Sequence, residues 1–457
     1  MAKEAVKEQE AGLFQADADK ACRKKVYIKT FGCQMNEYDT QKVLKVLSSE
    51  YEPVNSPCEA DLVIINTCSV REKPEHKVYS LAGEIRALKK RGKRLLLGVG
   101  GCVAQQEGQN LVKRNKEIDF VFGTHNISLV PSLIRERLRT GLPQVAVNYR
   151  EEWEELPLGF VGDEKCSVFV AISRGCNKNC TYCVVPNTRG REVSRPAEEI
   201  LREVKIAAYR GAKEVVLLGQ TVNSWGKDLI PRKRFEDLLE LVSTVEGIKR
   251  IRFTSPHPQE VREDFIRYIA DNPKVCRHIH LPVQSGSDKI LKLMKRNYRI
   301  KKYLKIVEQL YKYIPEIKIT TDVIVGFPQE TEEDFKATLS VLEEVRFLNS
   351  YSFLFSPRPN TKAAEMKDDT PREEKLRRLY MYQKRQEEIT AELLYEYLGR
   401  KTEVLIEGVD KAKKGLRGRN QQNIFVHLPY KADQVGRIKE VRVVEVGKHS
   451  LRAEYCK

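Results

Sequence analysis

Hydrophobic positions along the chain form short apolar runs that alternate with amphipathic stretches. From Lys25 to about Arg139 the runs are KVYIKTF, DLVIINT, RLLLGVG and IDFVFG, and amphipathic segments separate them. Apolar runs of this length are typical of buried strands, and strands that alternate with helices form parallel sheets. We therefore predict a parallel α/β domain over residues 25–140, preceded by a disordered leader at residues 1–24.

A segment without clear periodicity, residues 141–165, follows this domain. It contains Pro143, Pro157 and an acidic run around Trp153, and we predict a linker there. The strand-helix rhythm then resumes over residues 166–394 with six apolar runs, from SVFVAIS to SYSFLFS. Six such units are too few to close a full barrel of parallel strands, so an incomplete (βα)6 barrel is predicted.

The end of the chain has a different pattern. A long charged segment, residues 371–397, carries apolar side chains at near-helical spacing, which predicts a helix packed on one face. Short β-like runs separated by glycines and lysines fill residues 395–457. Such runs are typical of a small β-barrel, which makes the whole chain an α/β protein with a C-terminal β-barrel.

The amino-acid composition indicates the chemical class of the binding partner and the cellular compartment. The chain has 457 residues and a formal net charge of +17, and a basic excess of this size commonly serves a polyanion such as nucleic acid. No apolar run is long enough for a membrane span, and the first residues do not form a signal peptide. We therefore expect a cytoplasmic protein without membrane contact, in which the 11 cysteines stay reduced.

Three cysteines form a compact pattern after the first strand of the central domain. Cys176, Cys180 and Cys183 have the spacing C-x3-C-x2-C. Three thiolates leave one iron of a 4Fe-4S cluster without a protein ligand and open to a cofactor. Zinc is the competing interpretation, but zinc sites usually have a fourth Cys or His close by, and none follows here.

A second set of cysteines follows the predicted strands of the first domain. Cys33, Cys68 and Cys102 each end such a run, and Gly32 and Gly101 directly precede two of them. Neighbouring parallel strands bring their carboxyl ends to one edge of the sheet, where open α/β folds bind ligands. The pattern favours a second 4Fe-4S cluster over the alternative of three buried free thiols.

The central motif, at the end of the first strand of a six-unit barrel, resembles the radical S-adenosylmethionine (SAM) superfamily over about residues 166–390. The resemblance implies that the open iron binds SAM and that one electron cleaves SAM to a 5'-deoxyadenosyl radical. It also implies SAM contacts at the strand ends, which here hold Gly219, Gln220, Asn223, Gln284, Ser285, Asp322 and Gly326. This chain has Gly219-Gln220 where many members have a Gly-Gly-Glu-like run, so the partner of the SAM amino group is left open.

The phrases TFGCQMNEYDT, NTCSVREKPEHK and GGCVAQ, together with the central motif, resemble the methylthiotransferase family. The resemblance implies that Cys33, Cys68 and Cys102 hold an auxiliary cluster that carries or donates sulfur. It implies two uses of SAM, one to methylate the cluster-bound sulfur and one to generate the radical. All six cysteines would then be catalytic cluster ligands around one shared cavity.

The C-terminal domain resembles the TRAM domain found on RNA-modifying enzymes. One loop region concentrates basic side chains: Lys411, Lys413, Lys414, Arg417 and Arg419. Such a group would neutralise backbone phosphates and position an RNA without reading its sequence. The alternative is a solvated basic loop.

The combined resemblance implies a tRNA methylthiotransferase that modifies C2 of N6-dimethylallyladenosine next to the anticodon. Its partners would be the anticodon stem-loop of tRNA and an electron donor such as flavodoxin or ferredoxin. Two related substrates stay open: threonylcarbamoyladenosine in tRNA and an aspartate of a ribosomal protein. A basic ribosomal protein would be better served by an acidic surface. A non-catalytic iron-sulfur RNA-binding protein would not account for the barrel motif.

Overall fold

The computed structural model describes residues 23–69, 73–154, 156–159, 166–410 and 414–456, without the side chains of residues 73–79. Residues 1–22 of the predicted leader lie outside this description, as do Lys411 and Lys413 of the predicted RNA-binding loop.

The first domain is a six-stranded sheet in which every pairing is parallel. Its strands are β1 (Lys24–Thr30), β2 (Tyr51–Pro53), β3 (Leu62–Thr67), β4 (Leu96–Gly101), β5 (Phe120–Phe122) and β6 (Gln144–Ala146). Its helices are α1 (Gln34–Leu47), α2 (Lys73–Lys90), α3 (Cys102–Glu107), α4 (Gln109–Arg114) and α5 (Val130–Thr140). The strand order β2-β1-β3-β4-β5-β6 reverses between β1 and β3, and such a switch point is where open α/β sheets bind ligands. The prediction of a parallel α/β domain is confirmed.

The structure corrects two predicted boundaries. β6 lies inside the predicted linker 141–165, and β1 begins at Lys24, the last residue of the predicted leader. A three-residue edge strand directly after Pro143 is too short to show a period of its own, so the sequence gives no signal for it. Farther along the same segment, Trp153 lies between the guanidinium groups of Arg174 and Arg195, each 5.7 Å from its ring.

The central domain is an incomplete barrel of six parallel strands. The strands form two sheets, β11-β10-β7 and β12-β13-β14, which a parallel bridge between Ile251 and Val275 connects. These strands are β7 (Ser167–Ala171), β10 (Glu214–Leu218), β11 (Arg250–Phe253), β12 (His278–His280), β13 (Lys318–Val325) and β14 (Asn349–Leu354), and a small hairpin adds β8 (Ser173–Arg174) and β9 (Val193–Ser194). Its helices are α6 (Val185–Arg189), α7 (Ala197–Tyr209), α8 (Phe235–Ser243), α9 (Glu263–Asp271), α10 (Asp288–Leu293), α11 (Ile300–Tyr313), α12 (Glu332–Val345) and α13 (Arg372–Tyr395). The six-unit barrel and its long final helix were both predicted correctly.

A closed five-stranded barrel ends the described chain, as predicted. Its strands are β15 (Lys401–Asp410), β16 (Gly415–Asn420), β17 (Phe425–Pro429), β18 (Ile438–Val446) and β19 (Ser450–Tyr455). Arg250 and Arg252, the first and third residues of β11, donate hydrogen bonds to the backbone oxygens of Arg419 (2.7 Å) and Asn420 (2.6 Å). The C-terminal barrel therefore covers the amino-terminal ends of the central strands, opposite the end that holds the central cysteines.

A buried ionic cluster joins the first domain to the central barrel. Glu203 of α7 is fully buried and accepts from Lys42 of α1 and from Arg195, while Tyr38 Oη lies 3.2 Å from its second carboxylate oxygen. The cluster fixes α1, and with it the strand end that carries Cys33, against the barrel. In the described part of the chain no helix has the length and apolarity needed to cross a membrane.

Candidate active site

The loop that follows β8 carries the central cysteines at the carboxyl end of the barrel. A Cβ at Gly175, where φ is 72°, would lie 1.9 Å from the backbone oxygen of Arg191, so this position needs glycine. The backbone N–H of Cys176 then donates to the oxygen of Gly190 (3.1 Å), and that of Cys183 donates to the oxygen of Cys180 (3.1 Å). These bonds shape the loop, and beyond the effect of burial the charges of Cys180 and Cys176 both raise the pKa of Cys183, which places the three sulfurs near one another.

Polar groups surround these thiols. Cys176 Sγ accepts from the backbone N–H of Lys178 (3.4 Å) and lies 3.5 Å from Thr221 Oγ1, while Cys180 Sγ accepts from Arg296 (3.6 Å). Burial raises the pKa of the Cys183 thiol to about 12, so without a bound metal this sulfur stays protonated. Three sulfur ligands with N–H donors around them fit a thiolate-bound iron-sulfur cluster, because binding deprotonates the thiols and such donors stabilise the resulting charge.

Part of the set assigned to SAM presents polar atoms at the same strand ends. Gln220 Oε1 is buried and, among the described residues, has no hydrogen-bond partner. Gln284 has a φ of 70° and pairs with the backbone on both sides of Val323, which holds its loop against β13. Asp322 lies in the barrel with Oδ2 at 3.3 Å from His280 Nε2. Gly219 follows β10 directly, and a Cβ there would lie 2.5 Å from Ser173 Oγ.

The other members of that set hold the loops in place. The side chain of Asn223 exchanges two hydrogen bonds with the backbone of His257, at 2.8 and 3.1 Å. Ser285 is fully buried, and its hydroxyl accepts from the backbone N–H of Ser287 (3.2 Å). Gly326 has a φ of 71° and donates its N–H to Glu330 (2.9 Å). The side chains of Asn223 and Ser285 are thus hydrogen-bonded within the protein, whereas Gly326 contributes only its backbone, and their contacts with SAM stay a prediction.

The cysteines of the first domain also converge. A Cβ at Gly32, where φ is 123°, would lie 2.3 Å from Cys68 Cβ, so the loop after β1 touches the loop after β3. A hydrogen bond with Cys68 lowers the pKa of Cys33 to about 6. Burial raises the pKa of Cys102, and the charge of Cys33 raises it further, which places these two sulfurs near each other.

Arg189 is the functional side chain that sequence reasoning missed. It ends α6, six residues after Cys183, yet its guanidinium is buried against the first domain, 2.7 Å from Asp39 Oδ2 and 3.1 Å from Asn36 Oδ1. It also hydrogen-bonds Cys102, and Asn36 Oδ1 accepts from Cys33 Sγ at 3.5 Å. A barrel residue therefore supplies the positive charge beside the cysteines of the first domain.

Unpaired buried polar atoms lie beside these cysteines. Among the described residues, Asn66 Oδ1, next to Gly101, and Ser69 Oγ, next to Cys68, are buried without a hydrogen-bond partner. Burial, followed by the charges of Arg174 and Arg189, lowers the pKa of His125 to about 4, so the ring is neutral near pH 7. Unsatisfied groups of this kind are costly unless a bound group completes them. Together with three thiols and a guanidinium, they fit a second iron-sulfur cluster.

The short helix α6 connects the two cysteine sets. Cys183 precedes it, and Arg189 at its end reaches the first domain. Thr124 of the first domain donates to the oxygen of Thr188 (2.6 Å), and Tyr149 donates to that of Asn187. Helix α6 thus lies between the two cysteine sets, and hydrogen bonds from Thr124 and Tyr149 hold it in place.

The predicted RNA-binding residues divide into two groups. Lys414 and Arg417 are exposed, and in the described ranges neither has an ion-pair partner. Arg419 pairs with Glu407 (2.7 Å) and lies over the ring of Phe425. Its charge is already compensated, so it stabilises the barrel.

Comparison with known proteins assigns each domain to a class. Residues 170–342 match the radical SAM superfamily, residues 396–455 match the TRAM domain, and residues 25–123 match "Uncharacterized protein family UPF0004". With the central cysteine site at the carboxyl end of the incomplete barrel, these matches define a radical SAM enzyme with a TRAM domain.

Relatives that match 94% of this chain identify its family within the radical SAM enzymes. The chain is 46% identical over 439 residues to tRNA-2-methylthio-N(6)-dimethylallyladenosine synthase of Acidovorax sp. (strain JS42), covering 94% of this chain and 97% of the relative. The synthase of the same name from Geobacter metallireducens is 46% identical over 434 residues, covering 94% and 98%. The chain belongs to the family of tRNA-2-methylthio-N(6)-dimethylallyladenosine synthases, which are radical SAM methylthiotransferases.

Solved structures share the fold at low sequence identity. The radical SAM methyltransferase TsrM from Kitasatospora setae, with tryptophan and a SAM analogue, matches with a TM-score of 0.55 and 14% identity, covering 75% of each chain. The cobalamin-dependent SAM radical enzyme OxsB matches with a TM-score of 0.52 and 14% identity, covering 75% of this chain and 54% of that one.

Proposed function

We propose that this protein attaches a methylthio group to C2 of N6-dimethylallyladenosine next to the anticodon of a tRNA. The observation that carries the proposal is the pair of three-cysteine sets at the carboxyl ends of two parallel sheets, joined by α6. Each set leaves one iron of a 4Fe-4S cluster free, so two reactive centres share one region. The printed name of the full-length relatives supplies the substrate.

The residues of the central site have separate roles. Cys176, Cys180 and Cys183 would hold a 4Fe-4S cluster, which with bound SAM would supply the 5'-deoxyadenosyl radical. The unpaired Gln220 Oε1 would be free to accept a hydrogen bond from the amino group of SAM, in the position where many radical SAM proteins have a Glu. Arg296 donates to Cys180 Sγ and keeps the charge of that thiolate compensated.

The residues of the first domain hold the sulfur-bearing centre. Cys33, Cys68 and Cys102 bind the auxiliary cluster. The buried Arg189 guanidinium offsets the charge of the thiolates, because Asp39 alone does not exhaust its donors. Ser69, directly after Cys68, would present its unpaired hydroxyl to the bound cluster.

The tRNA is recognised through a loop nucleotide. A base in a single-stranded loop leaves its stack at lower cost than a base in a duplex, so the adenosine can turn into the region between the two sites. Lys414 and Arg417 of the C-terminal barrel contact phosphates of the anticodon stem-loop. A reduced flavodoxin or ferredoxin delivers the electron that cleaves SAM.

The test is mass spectrometry of nucleosides from tRNA after anaerobic reaction with reconstituted protein, SAM and a reductant. We expect a methylthio derivative with tRNA that carries dimethylallyladenosine, and little or none with tRNA that carries unmodified adenosine or threonylcarbamoyladenosine. Replacing Cys33, Cys68 and Cys102 with Ala should abolish this product while SAM cleavage continues.

Product on the threonylcarbamoyl substrate in place of the prenylated one would overturn the assignment of the substrate. An undiminished product in the triple cysteine variant would overturn the role of the first domain. Replacing Cys176, Cys180 and Cys183 with Ala is the matched control, because it should stop SAM cleavage itself.

A further inference from the structure

A basic cavity borders the outer side of the central cysteine loop. It has a volume of about 1020 Å³, and Asn177, Lys178 and Asn179, which separate the first two cysteines of the motif, form part of its wall. Its cationic lining residues are Lys178, Lys289, Lys292, Lys295, Arg296 and Arg299. Among the described residues that line it, Asp288 alone is acidic, and its carboxylate already accepts from the backbone N–H of Ile300 (2.8 Å).

Three of these six cations are exposed and form no ion pair with any described residue. Lys178 pairs with Glu260, and Lys289 pairs with Asp334 (2.7 Å). Lys292, Lys295 and Arg299 are exposed, and within the described parts of the chain none of them forms an ion pair. We call these three residues the basic rim. Unpaired cations around one concave surface create a positive potential that attracts an acidic partner.

One side chain links this cavity to the central cysteine site. Arg296 lines the cavity and donates to Cys180 Sγ at 3.6 Å. The cavity therefore lies one side chain away from the sulfur of Cys180.

We infer that the basic rim is the docking surface for an acidic electron-donor protein that reduces the central cluster. The inference rests on the proposed function, in which one electron cleaves SAM. That electron leaves the donor, which is oxidised by one equivalent, and breaks the carbon-sulfur bond of SAM to give methionine and the 5'-deoxyadenosyl radical. No proton moves in this step, so the surface needs only to hold the donor close to Cys180.

The geometry favours a protein over RNA at this surface. In the proposed function, SAM and the tRNA base would fill the region between the two cysteine sets, so the electron would have to enter the central cluster from another direction. The cavity offers such a direction, because Arg296 in its wall donates to Cys180 Sγ. Charge complementarity would align the donor and speed its encounter with the enzyme.

The experiment measures 5'-deoxyadenosine formed from SAM by the full-length reconstituted protein, without tRNA. One arm uses a reduced flavodoxin of net negative charge, and the other uses dithionite. In Lys292→Ala/Lys295→Ala/Arg299→Ala we expect the flavodoxin-driven rate at low ionic strength to fall roughly tenfold or more, because steering contributes ~10–1000-fold to such encounters. The dithionite-driven rate should not change.

A matched control removes three exposed cations from the first domain, in Lys90→Ala/Lys113→Ala/Lys116→Ala, and should keep both rates. Added salt should slow the flavodoxin arm of the unaltered protein and have little effect on the rim variant. Equal flavodoxin-driven rates in the rim variant and the unaltered protein would overturn the inference. Weaker binding of an anticodon stem-loop with an unchanged flavodoxin rate would assign the rim to RNA instead.

These readouts separate the two proposals. SAM cleavage without tRNA does not depend on which nucleoside is modified, so a failure of the substrate assignment leaves this test intact. Loss of cleavage with both reductants would show damage to the central site and would also contradict the docking role.

Discussion

Two glycines set the positions of the cysteines in the first domain. At Gly101, φ is 91° and an added Cβ would lie 2.3 Å from the backbone oxygen of Thr67. The chain can thus bring Cys102 alongside the end of β3 only because residue 101 has no side chain. The contact at Gly32 with Cys68 has the same cause.

We expect Gly101→Ala to lose the auxiliary cluster and keep the central one. Iron content after anaerobic reconstitution should fall from about eight to about four irons per chain. Gly92→Ala is the control, because Gly92 has a similar φ of 87° but a Cβ there meets no described atom within 4 Å. Full iron content in Gly101→Ala would contradict the steric argument.

At the scale of single residues, the sequence predicts the candidate cluster cysteines better than it predicts the side chains around them. The cysteines of the first domain stand out because each follows a strand, and those of the central domain because of their C-x3-C-x2-C spacing. Arg189 shows no such pattern, since its partners Asn36 and Asp39 are about 150 residues away in the chain. For the same reason the sequence places Asn223 and Ser285 at the correct strand ends but does not show that their side chains are already hydrogen-bonded.

Among the elements, α7 carries the carboxylate that holds two domains together. Burial raises the pKa of Glu203, but Lys42 and Arg195 outweigh it and hold the pKa below its usual value. This stabilisation is complete above the unfolded pKa of about 4.3 and is lost as the pH falls through the lower folded value. The cluster is therefore fully formed near pH 7.

We expect Glu203→Gln to lower the free energy of unfolding by about 3–5 kcal/mol, because it leaves buried cations without a counter-charge. Glu198→Gln on the same helix is the control: its side chain is 74% exposed and lies 3.7 Å from Lys233. Loss of such a surface pair should cost less than about 1 kcal/mol. Denaturant unfolding of both variants measures the difference, and equal midpoints would contradict the role of the cluster.

Long elements were predictable and short ones were not. The fully buried strand β3 forms an uninterrupted, mostly apolar run, and the 24-residue helix α13 is long enough to show a helical period. β6 has three residues, and its pairing with β5 is decided by the rest of the sheet. The ordered contacts of Trp153 likewise depend on two arginines of the central barrel that sequence periodicity does not connect to it.

Across the whole molecule, the C-terminal barrel is anchored at the end of the central barrel that lies away from the cysteines. Arg250 and Arg252 hold it there through backbone oxygens. A tRNA that reaches both the cysteines and Lys414 must therefore extend along the side of the molecule. In the proposed function, the barrel would then contact phosphates of the anticodon stem-loop at a distance from the base that is modified.

We expect Lys414→Ala/Arg417→Ala to weaken anticodon stem-loop binding and to reduce the slope of log affinity against log salt. Each lost phosphate contact should lower that slope by roughly 0.7–0.9. The control is Arg452→Ala on the same barrel, because Glu445 already compensates Arg452 at 2.7 Å. An unchanged slope in the double variant would show that these side chains do not touch phosphates.

The turn of helix α6 is held at once by the first domain through Thr124, by residue Tyr149 and by the central barrel through Asn360. Its two ends reach the two cysteine sets, so a hinge between them would have to break all three attachments. In the proposed function, an adenosine that enters between the two clusters would therefore meet a spacing set by these hydrogen bonds, and the RNA loop would have to bend to reach it.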